Sequence, residues 1–261
     1  MTAHSSIPPT MVVPCYNEQF RLNKAVLQAF ARTGGMRLLF VDDGSVDGTA
    51  EVLADLAAEC PGGAVEVLHL PSNLGKGEAV RAGLRDAITS GSEIVGYFDA
   101  DLSTPPTEVL RLVAALAGRP DLEVVLGSRI ARLGSTIERT VRRHLLGRVF
   151  ATAASVALGY QVYDTQCGAK VFRVTPALTV ALQRPFRSAW AFDVELLSRL
   201  LTGGPSVPPV AVQAMVEVPL NEWTETRGTH LRVGAMAGAF ADVCWMAGQR
   251  QCRRISRRRR H

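Results

Sequence analysis

The chain has 261 residues, 47 % of them hydrophobic, enough for a sizeable core and too apolar for a disordered chain. Its net charge of +5 belongs to its end: Arg250, Arg253, Arg254 and Arg257 to Arg260 place seven positive charges in the last twelve residues and leave the remainder near −2, so no nucleic-acid-binding face is expected. Five scattered cysteines, Cys15, Cys60, Cys167, Cys244 and Cys252, include no Cys-x-x-Cys pair, which argues against a zinc site or a disulfide framework and suits a reducing cytosol, and no signal peptide is expected at the start.

Met11-Val12-Val13-Pro14 reads as a first short strand running into Cys15-Tyr16-Asn17-Glu18. Leu22, Val26, Leu27 and Phe30 then fall at helical spacing, closed by Gly34-Gly35. Leu38 to Val41 is a second buried strand, followed by Asp42-Asp43-Gly44-Ser45 and a helix from Ala50 to about Ala58. Val65 to Leu70 is a third strand, leading through Asn73-Leu74-Gly75-Lys76-Gly77 into a helix ending near Ile88. The fourth strand, Ile94 to Phe98, ends abruptly in Asp99-Ala100-Asp101, and Ser103-Thr104-Pro105-Pro106 is a good helix start. Each strand delivers polar or glycine residues at its C-terminal end, which predicts an α/β fold with one Rossmann-like, mostly parallel sheet and a shared ligand edge. Neither a dinucleotide fingerprint nor a P-loop is present.

Two aspartates at one strand end repel each other unless a cation or hydrogen-bond donors sit between them. Asp99 and Asp101 therefore suit a hard divalent ion, Mg²⁺ or Mn²⁺, bridging carboxylate and phosphate oxygens. The bland reading is a turn and helix cap.

Val13-Pro14-Cys15-Tyr16-Asn17-Glu18, Val41-Asp42-Asp43-Gly44-Ser45-Val46-Asp47-Gly48-Thr49, Asn73-Leu74-Gly75-Lys76-Gly77 and Asp99-Ala100-Asp101, in that order, resemble the inverting GT-A glycosyltransferases of family two. Asp164-Thr165-Gln166-Cys167-Gly168-Ala169-Lys170-Val171-Phe172, Trp190-Ala191-Phe192-Asp193-Val194-Glu195-Leu196-Leu197 and Val218-Pro219-Leu220-Asn221-Glu222-Trp223-Thr224-Glu225 are similar to the polyprenyl-phosphate branch, with a lean toward dolichyl-phosphate glucosyltransferases over dolichol-phosphate mannose synthases.

The resemblance implies a nucleotide-sugar pocket formed by Pro14, Tyr16, Glu18, Asp42, Asp43, Lys76, Asp99 and Arg129, with Asp101 as principal metal ligand and Asp99 assisting. It implies single displacement of a nucleoside diphosphate from a hexose, by glucose transfer from UDP-glucose or mannose transfer from GDP-mannose. A polyprenyl phosphate acceptor is already anionic, whereas a hydroxyl acceptor needs a base, for which Asp193 or Glu195 is the candidate. Asp99, Asp101 and Asp193 are thus the expected catalytic residues. Where some relatives place a third side-chain metal ligand, this chain has Ser103, a poorer one.

Arg142 and Arg143, in a basic helix that also carries Val141, Leu145, Leu146, Val149 and Phe150, and Arg227 are candidates for the acceptor phosphate. A solvated helix face with a core stripe is the competing reading. The sequence divides into residues 1–230, the transferase domain, and 231–261, a C-terminal helix and Arg-rich tail. Val233 to Gly248 is too short to cross a bilayer and reads as an interfacial helix with a polybasic anchor, or as a helix packed on the domain. The expected location is cytoplasmic, peripheral at the inner face of the membrane, with an anionic lipid surface or a membrane protein as partner. Transfer to a saccharide or small-molecule hydroxyl, and a non-catalytic nucleotide-sugar-binding protein recruited to membranes, are the alternatives.

Overall fold

The structure is a computed structural model that describes residues 7–33, 35–60, 62–138, 141–225, 238 and 240–248, with the backbone alone for 138 and 141–146. Its first half alternates β1 (Thr10–Cys15), α1 (Lys24–Ala31), β2 (Arg37–Asp42), α2 (Thr49–Glu59), β3 (Val65–His69), α3 (Lys76–Thr89), β4 (Ile94–Tyr97), α4 (Pro106–Ala117) and β5 (Val124–Ser128). The second half adds β6 (Thr136–Glu138), α5 (Val141–Leu158), β7 (Lys170–Arg173), α6 (Pro176–Ala181), α7 (Phe192–Thr202), β8 (Met215–Pro219) and β9 (Glu222–Thr224).

Seven strands form one sheet in the order β3-β2-β1-β4-β7-β5-β8. All neighbours pair in parallel except β7, which runs antiparallel between β4 and β5. Alternation along the strands sends Met11, Val13, Leu38 and Phe40 into a core with α1, α2 and α4, and Val12, Leu39 and Val41 into a second core with α3, α5, α6 and α7. Both faces are therefore covered, which explains why the strands read as continuous apolar runs. Helix α3 lies close on the sheet because Gly83 has no side chain: a Cβ there would stand 2.5 Å from Val12 and 2.8 Å from Val41.

The differences from expectation are local. Helix α1 starts at Lys24 and not at Leu22, because the Asn23 side chain caps it by accepting a bond from the Val26 N–H. In α5, of the expected core stripe, Phe150 packs against the core and Val149 is exposed, the side chains of Val141, Leu145 and Leu146 lie outside the described residues, and Ala151, Ala154, Ala157 and Leu158 are buried. Residues 240–248 are helical, and Val243 and Met246 join the core that α7 also lines, while Phe240, Cys244 and Trp245 stay exposed. This part of the expected interfacial helix is packed on the body by one face. Apart from residue 238, the rest of the 231–261 segment, and Arg227 before it, lies outside the described residues. Among the described residues no helix is long and apolar enough to cross a membrane.

Candidate active site

The C-terminal ends of β1, β2, β3 and β4 open on one edge of the sheet, the usual place for ligands in such folds. The loops after β1 and β2 are laced into one wall. Asn17 takes a left-handed conformation at φ 53°, which Asn tolerates, and exchanges bonds with Ser45 and Val46 at 3.0 and 2.9 Å. The Glu18 and Gln19 N–H groups donate to Thr49 Oγ1 and Asp47 Oδ2. Tyr16, beside Pro14 at the end of β1, is left 43 % exposed, free to face a ligand.

Asp42 and Asp43 leave β2 side by side and are both buried. Burial works against the Asp42 charge, but bonds from Ser45 and the His69 ring hold its carboxyl below the usual range. Asp43 accepts the N–H groups of Leu74 and Gly75, both at 2.8 Å, and so clamps the loop that launches α3. Its burial nevertheless pushes its carboxyl up. Gly44 permits that closeness: at φ +66° its Cβ position lies 2.5 Å from the Ser72 backbone.

Lys76, the first residue of α3, places Nζ 2.5 Å from Asp99 Oδ1 while remaining 43 % exposed at its side chain. Burial opposes its charge, but Asp99 and then Asp193 outweigh it and hold the ammonium above the ordinary lysine range. Asp101 accepts a bond from the Ser103 N–H, and its other oxygen lies 3.6 Å from Arg21 Nη2. Arg21 also meets Glu18 Oε1 at 3.2 Å, whereas Glu18 Oε2 is buried without a hydrogen-bond partner. Burial raises the Glu18 carboxyl, and Asp101, Asp99 and Asp47 add to the rise against Arg21. Gly168 packs against Asp99 so tightly that a Cβ there would overlap its carboxylate.

A divalent ion fits this donor set in part. Asp99 and Asp101 are hard oxygen donors at the mouth, and Glu18 adds a buried oxygen lacking a partner. Among the described residues no three acids, histidines or cysteines are close enough to hold an ion alone. A bound ion would thus need ligand phosphate oxygens and water to complete its shell, as Mg²⁺ and Mn²⁺ commonly do. Ser103 is nearly buried and gives its carbonyl to the Thr224 N–H at 3.1 Å.

Arg129 and Asp193, expected as ligand-facing groups, have protein partners here. The Arg129 guanidinium forms two parallel bonds to Asp164, at 2.6 and 2.7 Å, and lies over the Trp223 ring. Burial opposes its charge, but Asp164 outweighs that and fixes it protonated. Asp193, buried in the first turn of α7, accepts from Tyr97 Oη and pairs with Lys170 Nζ at 2.7 Å. Glu195 caps the Arg187 and Ser188 N–H groups and pairs with Arg199, a structural duty. The side chains of Arg142 and Arg143, like Arg227, lie outside the described residues. Arg21 was not singled out from the sequence, and Asp164 and Lys170 stood in a family-like run without a role assigned to either. A lysine inside Ala169-Lys170-Val171-Phe172 was the available signal, since a charge in a buried strand requires a partner.

Known proteins similar to this chain identify its family and fold. A dolichyl-phosphate beta-glucosyltransferase of Trichomonas vaginalis is 28 % identical over 256 residues, covering 93 % of this chain and 72 % of its own length. A polyprenol monophosphomannose synthase of Mycolicibacterium smegmatis is 30 % identical over 229 residues, covering 88 % of this chain and 81 % of that protein. Among solved structures, glucosyl-3-phosphoglycerate synthase from Mycobacterium tuberculosis, crystallised with Mn²⁺, UDP and glucosyl-3-phosphoglycerate, superposes with a TM-score of 0.67 at 20 % identity, over 93 % of this chain and 80 % of the other. That likeness bears out the expected GT-A fold. The profile described as "Glycosyl transferase family 2" matches residues 10–179, the span that holds β1 to β7 and both aspartates of the β4 end, and the chain belongs to that family.

Proposed function

We propose that this glycosyltransferase moves a hexose, glucose from UDP-glucose or mannose from GDP-mannose, onto a polyprenyl phosphate at a membrane surface. The observation that carries the reading is the Lys76–Asp99 pair beside Asp101 at the shared strand edge, where a diphosphate and a cation would both find partners. The relatives named for dolichyl-phosphate and polyprenol-phosphate transfer supply the acceptor class. Mg²⁺ or Mn²⁺, held by Asp101 and Asp99, would offset the charge of the leaving diphosphate.

This chain's own residues do the rest. Tyr16 and Glu18 border the donor pocket, Asp43 holds the Leu74-Gly75 turn in place, and Lys76 brings an ammonium to the phosphates. An acceptor phosphate oxygen is anionic at neutral pH and needs no proton removed. The engagement of Asp193 by Lys170 and Tyr97 agrees with such an acceptor, because a base tied into a buried ion pair is poorly placed to take a proton. Arg142, Arg143 and Arg227 are proposed to meet the acceptor phosphate, and the arginine tail to draw the protein to an anionic inner membrane face. A membrane-protein partner for that tail is the competing use.

The test is transfer of labelled sugar into the organic phase with a short polyprenyl phosphate, with UDP-glucose and GDP-mannose offered separately and Mg²⁺ or Mn²⁺ present. Chelator or Asp101→Ala should abolish it, by about a hundredfold or more if charge neutralisation is lost. Transfer to a saccharide hydroxyl instead would favour the hydroxyl-acceptor reading. Nucleotide binding without any transfer would leave a binding protein.

A further inference from the structure

In the structure each carboxylate of Asp99-Ala100-Asp101 has a basic side chain against it. Lys76 stands on Asp99 at 2.5 Å, and Arg21 stands between Glu18 and Asp101 at 3.2 and 3.6 Å. Lys76 begins α3 directly after the loop clamped by Asp43. Arg21 follows the wall loop after β1, in a turn closed by the Arg21 and Leu22 N–H groups on the Glu18 carbonyl. Its side chain is 40 % exposed and its grip on Asp101 is the looser of its two contacts.

We propose that Arg21 is a placeholder cation. It neutralises Asp101, gives that oxygen up when a divalent ion arrives, and stays anchored on Glu18. This rests on the reading of Asp99 and Asp101 as the metal and donor site, and assigns a duty to a residue outside it.

The physical argument is one of competing charges. Three carboxylates, Glu18, Asp99 and Asp101, share the two cations Arg21 and Lys76, so the pocket carries an excess of negative charge. A guanidinium can bridge two carboxylates with separate N–H groups set wider apart than those of a compact ammonium. Because its Asp101 contact is long and partly solvated, the bridge is weak enough to be exchanged. A free ion must displace Arg21 and then share the pocket with a nearby positive charge. A nucleoside diphosphate brings anionic oxygens that relieve that repulsion. Ion and donor therefore bind better together than apart, and the coupling is reciprocal. The pocket is thereby protected from taking up a cation without its substrate.

The measurement is Mn²⁺ binding to the full chain by the loss of its free EPR signal, without nucleotide and then with saturating UDP or GDP. Arg21→Gln removes the placeholder. Lys24→Gln is the control, a neighbouring cation removed from an exposed pair with Asp55. Thermal melts confirm that both are folded, and Arg21→Lys serves should Arg21→Gln not fold. Arg21→Gln should bind Mn²⁺ alone roughly two- to fivefold more tightly, the scale an exposed ion pair can oppose. The factor by which nucleotide tightens Mn²⁺ should shrink. Arg21→Lys should fall between the two, and Lys24→Gln should match the native chain. Unchanged or weaker Mn²⁺ binding in Arg21→Gln, or an equal gain in Lys24→Gln, overturns the placeholder alone. Absence of Mn²⁺ binding in every form, with and without nucleotide, overturns the metal site with it.

Discussion

At Glu18 the chain holds a carboxylate where physical chemistry disfavours one. One oxygen faces Arg21 and the other is buried with no hydrogen-bond partner, beside three further aspartates. Burial is the largest cause of its raised carboxyl pKa, so the folded protein takes up a proton here more readily than the unfolded chain. The stability tied to the protonated form is complete below the ordinary glutamate range and is lost as pH rises through the folded value. Glu18→Gln, neutral and of the same shape, should melt with the native chain near pH ~4, where Glu18 is itself largely protonated. It should melt progressively higher than the native chain toward neutral pH. Paired melting curves across that range check this. A gap that narrows as pH rises would place the Arg21 ion pair above the burial penalty.

Among the elements, β7 and α7 are joined by one buried charge pair. Lys170 is fully buried, donates to the Cys167 carbonyl at 2.6 Å and pairs with Asp193, which Tyr97 of β4 also bonds. The pair thus fixes an antiparallel strand and a helix start against β4, two residues before Asp99. Lys170→Met should cost about 3–5 kcal/mol, because it leaves a buried carboxylate without its counter-charge. The double variant with Asp193→Asn should recover part of that loss, and urea unfolding of all four forms measures it. A single-variant loss near that of an exposed pair, below about 1 kcal/mol, would mean water reaches the site. This tie was hidden in the sequence because Lys170 and Asp193 are 23 positions apart and the strand between β4 and β5 comes from the second half of the chain. The first four strands and the helices between them were legible, since each apolar run ends in a turn signal and adjacent strands pair in parallel. Asp99 and Asp101 stood out for the same reason, since they end the fourth apolar run, while Lys76 was singled out through the family resemblance. The partners of Arg129 and Asp193 were not, because a side chain's choice between ligand and protein depends on contacts across the sheet.

For the whole molecule, charge that would serve chemistry collects at one sheet edge, while stability comes from apolar packing on both sheet faces and from the helix at 240–248. The two should therefore be separable. Met246 is 6 % exposed and packs into the core cluster with Val243. Met246→Ala should cost about 2–5 kcal/mol, which in a chain of this size lowers the melting temperature by roughly 2–4 °C per kcal/mol. It should leave the donor KM unchanged, although Arg187 of the neighbouring segment stacks 4.1 Å over Trp245. That segment is held independently, since Glu195 bonds the Arg187 and Ser188 N–H groups from within α7. Asp101→Asn should behave in the opposite way. It keeps an oxygen for the Ser103 N–H and relieves a crowded acidic pocket, so it should melt no lower than the native chain while losing transfer. Melts and donor kinetics on the two variants give the comparison. A shifted donor KM in Met246→Ala would mean that the helix at 240–248 acts on the site through Arg187, and that the Glu195 anchor is insufficient to insulate it.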